Sequence, residues 1–197
     1  MARSVDERIY LVAVGNVDKA ILKNLKSALP SRLPMTAKVV IEPAAALPAG
    51  AYSPSRKQYN AYLILDELSK EVRLFLDMER ALFVIDEDIF VPDLNFVFGL
   101  ADQKKGTAII SLARLKNEFY GMKTNSALFN DRVVKEAVHE LGHTWGMDHC
   151  PNSRCVMYFS NNLQDTDRKR DNFCLDCRIK LGKRYSGGGL LGEKARK

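Results

Sequence analysis

The 197-residue chain has no apolar run near the roughly eighteen residues that a membrane-spanning helix needs. Its opening stretch, MARSVDERIYLVAVG, carries charges where a signal peptide needs an uninterrupted apolar core. The expectation is a soluble intracellular protein, cytoplasmic, with no membrane partner. Cysteine is scarce as well: there are four, and in a chain without a secretion signal they point to metal before disulfides. Histidine is scarcer still, with three residues, and all of them fall within His139 to Cys150, HELGHTWGMDHC.

Each position in that stretch has a physical reading. Residues four apart lie nearly above one another on an α-helix, so His139 and His143 present two imidazoles to one ion. Glu140 is turned by roughly 100° and is left to act on water. Gly146 suits a helix stop in the left-handed region, after which the chain reverses and brings His149 up as a third ligand. Three imidazoles leave the fourth tetrahedral position open, as in a catalytic zinc site. Val133, Val134, Ala137, Val138, Leu141 and Trp145 form the apolar face of the same helix, with the histidines roughly opposite. A core helix with incidental histidines is the bland alternative, and it leaves five specifically spaced positions unexplained.

Cys150 and Cys155, with the later Cys174-x-x-Cys177, can close a second tetrahedral ion. Two disulfides or an iron–sulfur cluster remain open for the same four residues. Arg168, Lys169 and Arg170 precede the second pair; they either neutralise thiolate charge or, by default, form a solvated face.

The pattern HExxHxxGxxH, followed by Cys150, Cys155, Met157, Cys174 and Cys177, resembles the archaemetzincin family of metzincin zinc metallopeptidases. The likeness covers residues 139–177. It implies catalytic zinc on His139, His143 and His149, Glu140 as general base, and a structural zinc on the four cysteines, two zinc ions per chain. It also implies a Met-turn at Met157, against the reading of an ordinary core methionine. Tyr158 beside it is a possible neighbour of metal or oxyanion. Extracellular metzincins commonly carry an inhibitory pro-segment, and no stretch here has the length for one.

Upstream, Ile9 to Gly15 reads as a buried strand, Val17 to Leu29 as a helix capped by Asn16 and stopped by Pro30, and Ala37 to Ile41 as a second, parallel strand. Glu42 to Ser55 reads as a surface loop and Gln58 to Glu71 as a helix. Ala81 to Ile85 reads as a strand ending in Asp86, Glu87 and Asp88, taken as a solvated loop before a metal site. Phe96 to Ala101 and Thr107 to Leu112 read as a strand pair; by resemblance, the first is the edge strand that accepts a substrate backbone. The polar stretch Lys116 to Asn125 leads into the active-site helix. Residues after Ser186 read as a mobile basic tail.

The expected fold class is α/β (α+β) and metzincin-like: a mixed twisted sheet with helices and an active-site helix, plus a small zinc-stapled C-terminal subdomain. One catalytic domain is expected, divided at residues 1–146 and 147–197. The expected partner is a peptide or protein substrate, with the protein a monomer. The net charge of +6 permits the rival reading, a basic zinc-stabilised nucleic-acid-binding module with a vestigial histidine site. A structural role does not require Glu140, which weighs against it.

Overall fold

The structure, a computed structural model, describes residues 7–75 and 80–186. β1 (Glu7–Val14) and β2 (Ala37–Ile41) run parallel, with Leu11 opposite Ile41 and α1 (Lys19–Ala28) crossing between them. The cap of α1 is Asp18, whose side chain accepts the Ala20 N–H at 2.8 Å, and not Asn16. Val17 is drawn into the core ahead of Ile21, Leu22 and Leu25, and the helix starts two residues later than a cap at Asn16 gives. Leu29 and Pro30 tighten the end into a 3-10 turn.

Residues 42–55 are more ordered than a surface loop. The Ala45 N–H donates to Ala13 O at 2.8 Å and the Gly15 N–H donates to Ala45 O at 3.0 Å, continuing the β1 edge. β3 (Tyr52–Ser53), β4 (Gln58–Asn60) and β6 (Ile89–Phe90) then make a small second sheet. The helix expected from Gln58 therefore starts later, as α2 (Ala61–Phe75). The Asn60 side-chain oxygen accepts the Tyr62 amide at 3.0 Å, so the residues before it stay extended.

β5 (Arg80–Ile85) is the central strand of the main sheet, parallel to β1 and to β8 (Thr107–Ser111). It is apolar throughout its buried length because helices cover both faces. β7 (Gly99–Asp102) runs antiparallel to β8 and closes the order β2-β1-β5-β8-β7, so it is an edge. The strand expected from Phe96 is shorter at its start. Phe98 packs in the core and Gly99 faces Glu140 of the helix that carries His139 and His143, which interrupts strict alternation at that point. The acidic run after β5 is solvated at Glu87, whereas Asp86 and Asp88 are held in ion pairs, and it is not among the groups of the described residues that could hold a metal. Asp88 takes a bidentate pair from Arg114 at 2.7 and 2.8 Å, and Asp86 takes Lys116 at 2.5 and 2.7 Å.

α3 (Ser126–Thr144) is capped by Asn125, which accepts the Leu128 N–H at 3.0 Å. Its six apolar residues from Val133 to Trp145 are buried as the spacing predicts. His139 and Glu140 are buried too: Glu140 lies against Gly99 of β7, and His139 meets Val156 of the chain after Gly146, which goes on to form α4 (Leu163–Arg168) and α5 (Leu175–Ser186). Val156, Met157, Leu163, Phe173 and Leu181 join the same core as β1 and α3. Trp145 Nε1 donates to Glu7 Oε2 at 2.8 Å and ties the end of α3 to the first strand. Among the described residues no helix is long and apolar enough to cross a membrane. The tail expected after Ser186 lies outside the described residues.

Candidate active site

His139 and His143 stand on successive turns of α3 with their Nε2 atoms 3.1 Å apart. Their other ring nitrogens point away: His139 Nδ1 is 2.8 Å from Val156 O and His143 Nδ1 is 2.7 Å from Met147 O. Carbonyl oxygens only accept, so each Nδ1 carries the proton and each Nε2 presents its lone pair to the shared point. Gly146, at φ 75, sits in the left-handed region and turns the chain back. The His149 ring then comes within 5.4 Å of His139 and 4.8 Å of His143, centroid to centroid. Ligand atoms of all three lie within 4.8 Å of one another. Burial is the first cause that lowers the pKa of each, with the Lys169 charge adding to it, so the rings favour the neutral form that binds metal. The set fits an open three-nitrogen zinc site.

The histidines and Glu140 line one open cleft of about 600 Å³ between β7 and α3. Burial pushes the Glu140 carboxyl well above the ordinary glutamate range; the neighbouring Glu136 charge adds to this and Lys169 opposes it. Phe159 also lines the cleft, 4.8 Å from the His149 ring, whereas Tyr158 is not among the lining residues.

The four cysteines are unbridged. Cys150 Sγ is 3.8 Å from Cys174 Sγ, and Cys155 Sγ is 3.7 Å from Cys177 Sγ. A disulfide requires about 2.05 Å. Zinc–sulfur bonds of about 2.3 Å in a tetrahedron place the sulfurs about 3.8 Å apart, so the cluster has the dimensions of a closed four-thiolate site. Burial raises the thiols of Cys155 and Cys177, while Cys174 is lowered because hydrogen bonds from the Cys177 backbone and neighbouring thiols outweigh its burial.

Met157 is fully buried in a turn where the Tyr158 N–H donates to Cys155 O at 2.9 Å. A Cβ placed on Gly142, one residue before His143, meets Met157 Sδ first and Cε at 3.0 Å. The thioether thus occupies the space that the glycine leaves under the two ligand turns.

Three contributors escape the sequence reading. Lys169, expected in a solvated basic run, is 1 % exposed, with Nζ 2.9 Å from Glu136 Oε1; Thr166 Oγ1 donates to the same oxygen at 3.1 Å. Glu136 lies one turn before Glu140, and that spacing was a signal that two carboxylates share a face and need a cation. Gly99 comes so close to Glu140 that an added Cβ would lie 2.5 Å from Cγ. A glycine inside a strand pattern was the signal there. Arg56 Nη2 donates to the carbonyls of Leu94 and Asn95, both at 2.9 Å, and holds the cleft rim; nothing in its local sequence points to that role.

A helix presenting two imidazoles and a carboxylate, a glycine turn delivering a third imidazole and a methionine turn beneath them define a metallopeptidase of the metzincin class. The model of peptidase family M54 matches residues 12–183. The archaemetzincin of Methanocaldococcus jannaschii is 42 % identical over 174 residues, 88 % of this chain and 92 % of that protein. The archaemetzincin of Pyrococcus furiosus is 37 % identical, covering 95 % of this chain and 98 % of the relative. The crystal structure of the Methanopyrus kandleri archaemetzincin superposes with a TM-score of 0.79 at 36 % identity, covering 93 % of this chain and 98 % of that one. The chain belongs to the archaemetzincins, peptidase family M54.

Proposed function

We propose that this metallopeptidase cleaves peptide bonds with His139, His143 and His149 holding a catalytic zinc, Glu140 as general base, and a second, structural zinc on Cys150, Cys155, Cys174 and Cys177. The observation that carries the reading is the convergence of three imidazoles, two with free Nε2 lone pairs, and one buried carboxylate on a single open cleft. Bound there, zinc supplies Lewis acidity that activates water and polarises the scissile carbonyl. Glu140 takes the proton from the attacking water and delivers it to the leaving amine. The open edge of β7 pairs with an extended substrate backbone and lays it across the histidines. Met157 and Gly142 support the ligand turns from below, and the described part of the segment from residue 147, up to Ser186, serves as the lower subdomain built on the cysteine site.

Zinc-loaded protein incubated with a mixed peptide library, with new termini read by mass spectrometry, tests this. Zinc-dependent cleavage that chelation abolishes is expected. Absence of any new terminus with the histidine site loaded would overturn it.

A further inference from the structure

A second cavity, of about 480 Å³, opens on the other side of the edge strand. Its walls are Tyr62 and Leu65 of α2 and Leu100 of β7, and Asp66 and Lys105 stand at its polar end. It adjoins the catalytic cleft, since Tyr62, Leu100, Ala101 and Gln103 line both. β7 separates the two. Gly99 faces Glu140, whereas Leu100 packs on the α2 side with the core that contains Leu65.

A strand that adds to the free edge of β7 sends successive side chains to opposite faces. Residues on one face reach the histidines, and their neighbours reach α2. We propose that the second cavity is a substrate subsite, and that it takes a bulky apolar or aromatic side chain of an extended peptide. This rests on the reading of β7 as the substrate-binding edge. Tyr62 is the specificity-determining residue: it is 54 % exposed and it forms the shared wall. The charges at the far end do not select a charged side chain, because they already satisfy one another. Asp66 accepts from Lys105 and from Lys70, each at 2.7 Å, and these hydrogen bonds hold its carboxyl down at about 2. Lys105 also lies 3.6 Å from Asp102. What remains for a ligand is the apolar wall.

The test uses zinc-loaded protein carrying Glu140→Ala, so that peptides bind without being cut. Alanine-based decapeptides with a single benzoylphenylalanine are photo-crosslinked, and the attachment points are read by mass spectrometry. Attachment within Tyr62–Asp66 or Leu100–Lys105 is expected. In parallel, the affinity of the same peptide with phenylalanine in place of the photoprobe is compared with its all-alanine counterpart. A preference of about tenfold for phenylalanine is expected, from burial of part of one aromatic side chain. Tyr62→Ala should reduce that preference, read as the ratio of the two affinities within the variant, to about twofold. Crosslinks confined to residues around the histidines, or a preference that Tyr62→Ala does not alter, would overturn the proposal. Failure of the catalytic reading looks different: the wild-type protein would cut nothing while the crosslinks persisted.

Discussion

Gly99 and Glu140 touch across the cleft so closely that no other residue fits at position 99 without moving the carboxylate: a Cβ there would lie 2.5 Å from Glu140 Cγ and 2.6 Å from Oε1. The edge strand and the proposed general base thus define each other's position. The close approach also explains why a strand end carries glycine despite its weak strand propensity.

Gly99→Ala should therefore act on catalysis and spare the metal. The glutamate side chain is the flexible partner and swings away, displacing the base by about 1 Å, which costs on the order of 100-fold in kcat. Steady-state kinetics beside zinc analysis checks it. Unchanged kcat would mean that the carboxylate works from another position.

The two proposed zinc sites should release the metal unequally. Cys155 and Cys177 are buried within a cluster that leaves no open coordination position, whereas His149 is exposed on the cleft. Mild chelation should leave about one ion per chain, measured by elemental analysis. Loss of both ions together, with the fold intact by circular dichroism, would contradict this.

His149 and Cys150 are adjacent, yet one ring faces the imidazole cluster and the other side chain faces Cys174. The Cys150 N–H also donates to Met157 O at 2.9 Å, so the cysteine anchors the third histidine and the methionine turn together. Cys150→Ser should weaken zinc at the histidines by about tenfold although it removes none of their ligands. Cys177→Ser should weaken it less. Competition titration with a zinc chelator distinguishes them, and equal, unchanged affinities would show that the sites are independent.

Acid should destabilise the zinc-free protein. His139 is held well below 6.5 in the folded state, first by burial, so as pH falls below 6.5 the unfolded chain binds its proton first. The loss approaches about 1.4 kcal/mol per pH unit for that residue until its folded pKa is reached. Glu140 has the opposite sign: its folded pKa is raised above 4.5, so its contribution falls as pH rises above that value. Glu140→Gln should consequently stabilise the zinc-free protein progressively more as pH rises above 4.5. Urea midpoints across pH 5–8 read both effects, and parallel curves for the two proteins would refute the assignment for Glu140.

The histidine site was legible because it is local: helical spacing, a left-handed glycine and a short return bring His139, His143 and His149 together within one stretch. The cysteines were legible as a group by their number and by resemblance, but two disulfides remained open until the sulfur separations excluded them. The pair Glu136–Lys169 was not legible, since it depends on how the chain after α4 folds back on α3, and a basic triplet looks the same whether or not its middle member is buried. The start of α2 was misread for a local reason. Tyr59 suits a helix face as well as a strand, and only the Asn60 cap separates them. The acidic run after β5 needed Arg114 and Lys116, some thirty residues away, to become intelligible.

Everything proposed for the chemistry passes through Glu140, and the most direct measurement takes zinc content and peptide hydrolysis on the same samples of wild-type and Glu140→Ala protein. Equal zinc and a rate lower by about 10²- to 10⁴-fold are predicted for the variant. Equal rates would contradict the role of Glu140 as general base, and loss of the catalytic zinc along with the rate would make it a ligand instead.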